Sequence, residues 1–155
     1  MGLDMYLYKK TNLTSKRWVM DGDSKDIAIV VRNGNVDEHI KPDRVVGVTE
    51  EIMYWRKANH IHKWFVDHCA DGEDECQEIY VPHDKLVDLV HACIAVVNNH
   101  ELSEELLPTT SGFFFGSTEY DEWYYESLQE VIDTLLPDLD KGEGDNSYYI
   151  YRASW

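Results

Sequence analysis

The spacing of apolar positions changes several times along the 155-residue chain, and each change marks an element. Residues 3–8 alternate and are rich in aromatics, which predicts a first strand. Residues 27–32 are a β-branched run closed by Asn33, Gly34 and Asn35, and residues 44–48 predict a third short strand. From residue 49 to residue 69 the period becomes helical. Tyr54, Trp55, Ala58, Ile61, His62, Phe65, Val66 and Cys69 recur at spacings of three and four, with Thr49 as N-cap and Glu50 and Glu51 at the positive end of the dipole.

An acidic loop follows at 71–75, then a strand at 77–81. Pro82 opens a second helix to about residue 98, with Leu86, Leu89, Val90, Cys93, Val96 and Val97 as its buried stripe. Residues 103–107 predict a short helical turn that Pro108 breaks. Residues 113–115 read as a strand. Ser117 or Thr118 then caps a third helix that buries Tyr124, Leu128, Val131, Ile132 and Leu135 and stops at Pro137. A Gly- and Asp-rich loop leads to a last strand at 147–153. Strands and helices mix without a regular βαβ rhythm. The expectation is an α+β single globular domain, with a small mixed or antiparallel sheet of about five short strands against three helices.

Charge narrows the partners. The formal net charge is −16, and it is uneven. Up to Lys57 there are ten Lys or Arg against nine Asp or Glu; after it there are four against twenty-one. Direct binding to nucleic acid or to a membrane surface needs cationic contacts, so neither is expected. A compact acidic surface suits a basic protein partner, and it also serves plain solubility. Cys69, Cys76 and Cys93 are too few and odd in number for a disulfide framework. No secretory leader pattern or membrane-length apolar run is read, so the expected location is cytoplasmic.

Two constellations carry candidate chemistry. The first is Phe115, Gly116, Ser117, Thr118 and Glu119, read as strand, turn and helix start. Such a turn aims backbone N–H groups at one point and suits a phosphate or carboxylate. Its plain alternative is a tight turn with an ordinary N-cap, and the nearby Glu119, Asp121 and Glu122 oppose an anion. The second lies on the predicted long helix, where Trp55, Asn59 and His62 share a face with Arg56 beside it. Indole, amide, imidazole and guanidinium together suit a planar base with a phosphate. The alternative is an amphipathic helix whose polar groups satisfy one another. Tyr120 and Tyr124 add stacking surface, and Lys9, Lys10 and Arg17 are candidate cationic helpers.

Other chemistries find little support. His60 and His62 are two apart, whereas helical metal pairs stand four apart. Asp84, Asp88 and His91 share a helix face, but it is the face opposite the apolar stripe. The loop from Asp71 puts Cys76 where a calcium loop needs glycine. No GxSxG elbow is present. No metal or cofactor is expected, and a small nucleotide-processing enzyme using Glu119 or His62 is the weaker alternative to a binder.

Three blocks, MGLDMYL at 1–7, YWRKAN at 54–59 with Ile61, His62 and Trp64, and GFFFGSTEYD at 112–121 with Trp123 and Tyr124, resemble a family of short proteins encoded by bacteriophages and prophages. The resemblance carries no established activity. It implies an accessory protein that interferes with host defence. One such class sequesters nucleotide signals, and another is acidic and occupies nucleic-acid-binding sites on host nucleases. The leading expectation is capture of a small nucleotide-like anion by Trp55, Arg56, Asn59, His62, Phe115, Gly116, Ser117, Thr118, Tyr120 and Tyr124. The runner-up is an acidic mimic that binds a host defence protein. A homodimer is a further expectation, from aromatic residues beyond the needs of one core.

Overall fold

The structure is a computed structural model describing residues 2–13, 29–142 and 146–155. Arg17 and the start of the predicted strand at 27–32 lie outside the described residues. The frame is a four-stranded antiparallel sheet in the order β4, β1, β6, β5, comprising β1 (Asp4–Asn12), β4 (Gly47–Arg56), β5 (Glu78–Val81) and β6 (Ser147–Ser154). A separate two-stranded hairpin, β2 (Val31–Arg32) and β3 (Asn35–Val36), turns through Asn33 and Gly34, both with positive φ. The helices are α1 (Asn59–Cys69), α2 (His83–Asn98), the one-turn α3 (Ser103–Leu106) and α4 (Glu122–Leu139). None of them is long and apolar enough to cross a membrane. The α+β class read from the pattern is therefore the observed one.

The sheet is two-faced because side chains alternate along each strand. Met5, Leu7, Met53, Trp55, Ile79, Val81, Tyr149, Tyr151 and Ala153 are buried on one face, in cross-strand register such as Met5 with Trp55 and Leu7 with Tyr151. Leu86, Leu89, Val90, Cys93 and Val96 of α2 and Leu128, Val131 and Leu135 of α4 complete that core. The opposite face carries Tyr6, Tyr8, Tyr54, Tyr80 and Tyr148, with Tyr6 stacked on Tyr8 at 6.0 Å and Tyr54 5.2 Å from Tyr6.

Four readings of the pattern are corrected. The helix over 49–69 is two elements: β4 runs to Arg56, and α1 begins only at Asn59. The break is Lys57, whose φ of 60° is incompatible with either element. Residues 44–48 hold the end of a 3₁₀ turn (Pro42–Arg44) and the start of β4. Residues 113–115 form a turn with Phe114 at φ 68°, which no strand tolerates. The third helix is capped by Asp121, whose carboxylate accepts from the Tyr124 N–H at 3.0 Å, and neither Ser117 nor Thr118 caps it. Pro137 sits within its last turn, and the helix ends two residues later.

Leu128 of α4 is fully buried in this core, whereas Tyr80 on the open face is 57% exposed. Leu128→Ala is expected to lower unfolding free energy by about 2–5 kcal/mol, and Tyr80→Ala to change it by about 0.5 kcal/mol or less. Urea denaturation followed by circular dichroism checks both.

Candidate functional site

The end of β4 and the start of α1 meet the irregular stretch between α3 and α4, and the meeting point is Asn59. Its side chain is fully buried. The Nδ2 donates to the Phe115 carbonyl at 3.2 Å and the Ser117 carbonyl at 2.8 Å, and Oδ1 accepts from the Thr110 N–H at 2.9 Å. One amide thus fastens three points of a loop more than fifty residues away. A buried amide must satisfy its donors and acceptor or cost stability, and this one does so through the loop.

The backbone around the clamp is strained in a concerted way. Lys57 has φ 60°, Phe114 φ 68° and Gly116 φ 95°. The Lys57 N–H donates to the Leu3 carbonyl at 2.7 Å, and the Leu3 N–H donates to the Phe114 carbonyl at 3.4 Å. Gly116 lies so close to Lys57 that an added Cβ would fall 2.9 Å from the Lys57 Cβ. Gly112 faces the same limit, with an added Cβ 2.5 Å from the Phe115 ring. Left-handed non-glycine residues cost energy and persist where the surroundings over-determine them.

The clamp sorts the loop's polar groups. The carbonyls of Phe114, Phe115, Ser117 and Thr118 all accept a hydrogen bond within the protein, the last at the surface from the Thr109 hydroxyl at 3.0 Å. Among the described residues, no acceptor meets the N–H groups of Gly116, Ser117 or Thr118. All three residues are exposed, and unmatched backbone N–H groups are the kind of donor that anion sites use. Arg56 and Lys57 stand beside the loop, both exposed, near Gly2. Arg56 is partly engaged by Asp4 at 3.8 Å. Phe113 is 80% exposed and touches Phe114 edge-on at 4.3 Å, so two aromatic rings border the donors from solvent.

The residues read from the sequence divide into two groups. Arg56, Gly116, Ser117 and Thr118 are exposed and adjoin one another through Lys57 and the loop. Asn59, His62, Phe115 and Tyr124 are buried and hold the loop's shape, with half-buried Tyr120 packed edge-on to Tyr124 at 5.0 Å. His62 is bonded on both ring nitrogens. The Asp74 carboxylate only accepts, so Nε2 donates to it at 3.0 Å, and Nδ1 meets the Tyr151 hydroxyl at 2.7 Å. Tyr124 donates its hydroxyl to the Leu107 carbonyl at 2.8 Å, and burial raises its pKa. Lys9 and Lys10 are committed elsewhere, to Asp138 at 3.3 Å and Glu78 at 3.5 Å.

Trp55 is not on a helix with Asn59. It sits on β4 and lines a cleft of about 330 Å³ between β4 and α4, together with Tyr54, Arg56, Ala58, Trp123, Glu126, Ser127 and Glu130. Its Nε1–H is buried and has no acceptor among the described residues. Behind the cleft, His60 meets the Ser127 hydroxyl at 2.9 Å, and burial lowers its pKa to about 3. Lys57, Phe113, Phe114 and Trp123 were not among the residues read as a site. Lys57 follows Arg56 directly, and the phenylalanines sit between two glycines, so both signals were present in the chain. Among the described residues, no group of three His, Cys, Asp or Glu converges to hold a metal.

Two outcomes follow from these contacts. Asn59→Ala orphans Thr110 N–H and two carbonyls, and is expected to cost about 2–4 kcal/mol while raising amide hydrogen exchange across residues 110–118. His60 titrates at about 3 when folded against about 6.5 when unfolded. The unfolded chain binds the extra proton first, so this contribution is complete above pH 6.5 and is lost as pH falls toward 3. His60→Gln is expected to flatten that limb of a pH-dependent urea titration.

Compared with family models, curated proteins and solved structures, the chain matches none.

Proposed function

We propose that this protein binds and sequesters a small nucleotide-like anion without turning it over, as a phage-type accessory protein acting against host defence. The carrying observation is the loop whose carbonyls at Phe114, Phe115, Ser117 and Thr118 are all bonded within the protein while, among the described residues, the N–H groups of Gly116, Ser117 and Thr118 meet no acceptor. Those donors, with Lys57 and Arg56, are the phosphate side of the reading. Phe113 and Phe114 are the stacking side, since exposed rings offer a base a π-face. Asn59, His62, Phe115 and Tyr124 act by holding the presentation rigid, which lowers the ordering cost of binding. Imidazoles that are buried and bonded are poorly placed to move protons on a bound ligand, which favours capture over chemistry.

Charge also favours a second reading. A net charge of −16, with Glu126 and Glu130 exposed along α4, supports an acidic surface that engages a basic host protein in place of nucleic acid. The two readings meet at Arg56, which stands beside the loop and also lines the cleft next to α4.

Calorimetry against cyclic nucleotides, ADP-ribose derivatives and inorganic phosphate tests the first. At least one nucleotide is expected to bind at submicromolar Kd. Lys57→Asn keeps a residue that tolerates positive φ but removes the charge, and is expected to weaken binding by about tenfold or more. Arg56→Gln is expected to act in the same direction. Recovery of an unaltered nucleotide by mass spectrometry after denaturation supports storage, and a changed mass supports the enzyme alternative. Silence across the whole panel overturns the anion reading.

A further inference from the structure

The cleft beside Trp55 has the wrong charge for the anion and the right geometry for something else. Among the described residues β4 is an edge strand, paired on one side only. The Lys57 N–H points to β1, where it meets the Leu3 carbonyl. Peptide groups alternate sides along an antiparallel strand, so those of Tyr54 and Arg56 point away from β1, into the open. These two residues line the cleft. Its far wall is α4, which presents exposed Trp123, Glu126 and Glu130 at helical spacings of three and four. Trp55 lines the same cleft with its buried, unpartnered indole N–H.

We infer that this cleft receives an extended, basic peptide segment of a protein partner, added as a strand to the free edge of β4. The inference rests on the second reading above and names how the acidic surface engages its target. Each feature of the cleft then has a use. The outward N–H and C=O of Tyr54 and Arg56 pair with the incoming backbone, as in strand addition. Alternate side chains of the added strand lean toward α4, where Lys or Arg meets Glu126 and Glu130. Trp123, about two-fifths exposed, supplies a face for their aliphatic stems and charged ends. The Trp55 N–H gains access to an acceptor on the partner backbone. The stretch of α4 from Trp123 to Glu130 spans about 10 Å, the length of about three extended residues.

A second copy of this chain is the competing occupant, and charge argues against it. Pairing β4 with itself would bring two acidic α4 faces together on molecules that each carry −16. A basic strand relieves that field, and a second copy doubles it.

The test uses the full chain and a blocked nine-residue peptide of alternating Lys and Thr. Three partners are compared by calorimetry at low salt: the peptide, the same peptide N-methylated at alternate residues, and its Glu/Thr counterpart. The basic peptide is expected to bind. N-methylation on the pairing edge is expected to weaken it about tenfold, because it removes backbone donors. The Glu126→Gln, Glu130→Gln double variant is expected to weaken it roughly fivefold. Both glutamates are exposed, and circular dichroism verifies that the variant stays folded. Equal binding of methylated and unmethylated peptides, or no effect of the double variant, overturns strand addition here while leaving a basic partner on another face intact. No binding by any basic peptide overturns the second reading itself. A dimer in sedimentation that the double variant tightens assigns the edge to a second copy and overturns the inference.

Discussion

The geometry of the site depends on one buried amide. Asn59 spends both donors of its Nδ2 and its Oδ1 on Phe115, Ser117 and Thr110. Three hydrogen bonds at about 1 kcal/mol each contribute on the order of 3 kcal/mol net. Left-handed φ at Lys57 and Phe114 costs about 1–2 kcal/mol apiece. The two sums are similar, so the clamp and the strain balance closely. Burial of Phe115, at 8% exposure, tips the loop toward order. The loop nonetheless leaves Phe113 almost bare. Nothing in core packing calls for that exposure, which is why the loop is read as a presenting surface.

Electrostatics then separates two sides of one strand end. On the loop side stand the exposed Lys57 and Arg56, the latter partly engaged by Asp4. On the helix side, Glu126 and Glu130 set the sign. Exposed charges beyond about 8 Å are largely screened at physiological salt. A molecule at −16 can therefore still hold an anion where donors and cations are in direct contact with it. It cannot steer that anion from a distance, so such binding gains from a rigid site and from slow release more than from fast encounter.

The chain announced some of this and concealed the rest. α2 was legible because Pro82 opens it and Leu86, Leu89, Val90, Cys93 and Val96 are buried at helical spacing. β1 and β6 were legible because aromatic and β-branched residues cluster in them, with buried positions alternating at the start of β1 and the end of β6. β4 was not. Its first half, Gly47 to Glu51, is exposed on both faces because it lies at the sheet edge. With no alternation to read there, the strong helical period after Ala58 extended backward over it. Gly112 to Gly116 looked like a strand because three phenylalanines run together. Only Phe115 is buried, and positive φ at Phe114 has no signature in the residue type. Asn59 and the Phe115–Ser117 segment, read as parts of two separate constellations, meet through the Asn59 amide. An amide that satisfies backbone and one that reads a base look alike in sequence.

The first turns of α1 explain why binding is the better reading than turnover. Asn59, His60 and His62 are three polar residues in four positions, and all are buried. Asn59 holds the loop. His60 is held neutral by burial against Ser127 and Tyr124, whose ring centroid is 4.3 Å away. His62 is fixed between Asp74 and Tyr151, with the Phe115 ring edge-on at 5.3 Å. An acid or base catalyst has to reach its substrate's proton within hydrogen-bond distance. The imidazoles of His60 and His62 are buried and bonded within the fold, so neither is placed to do so, and this supports the proposed capture over turnover at these two residues.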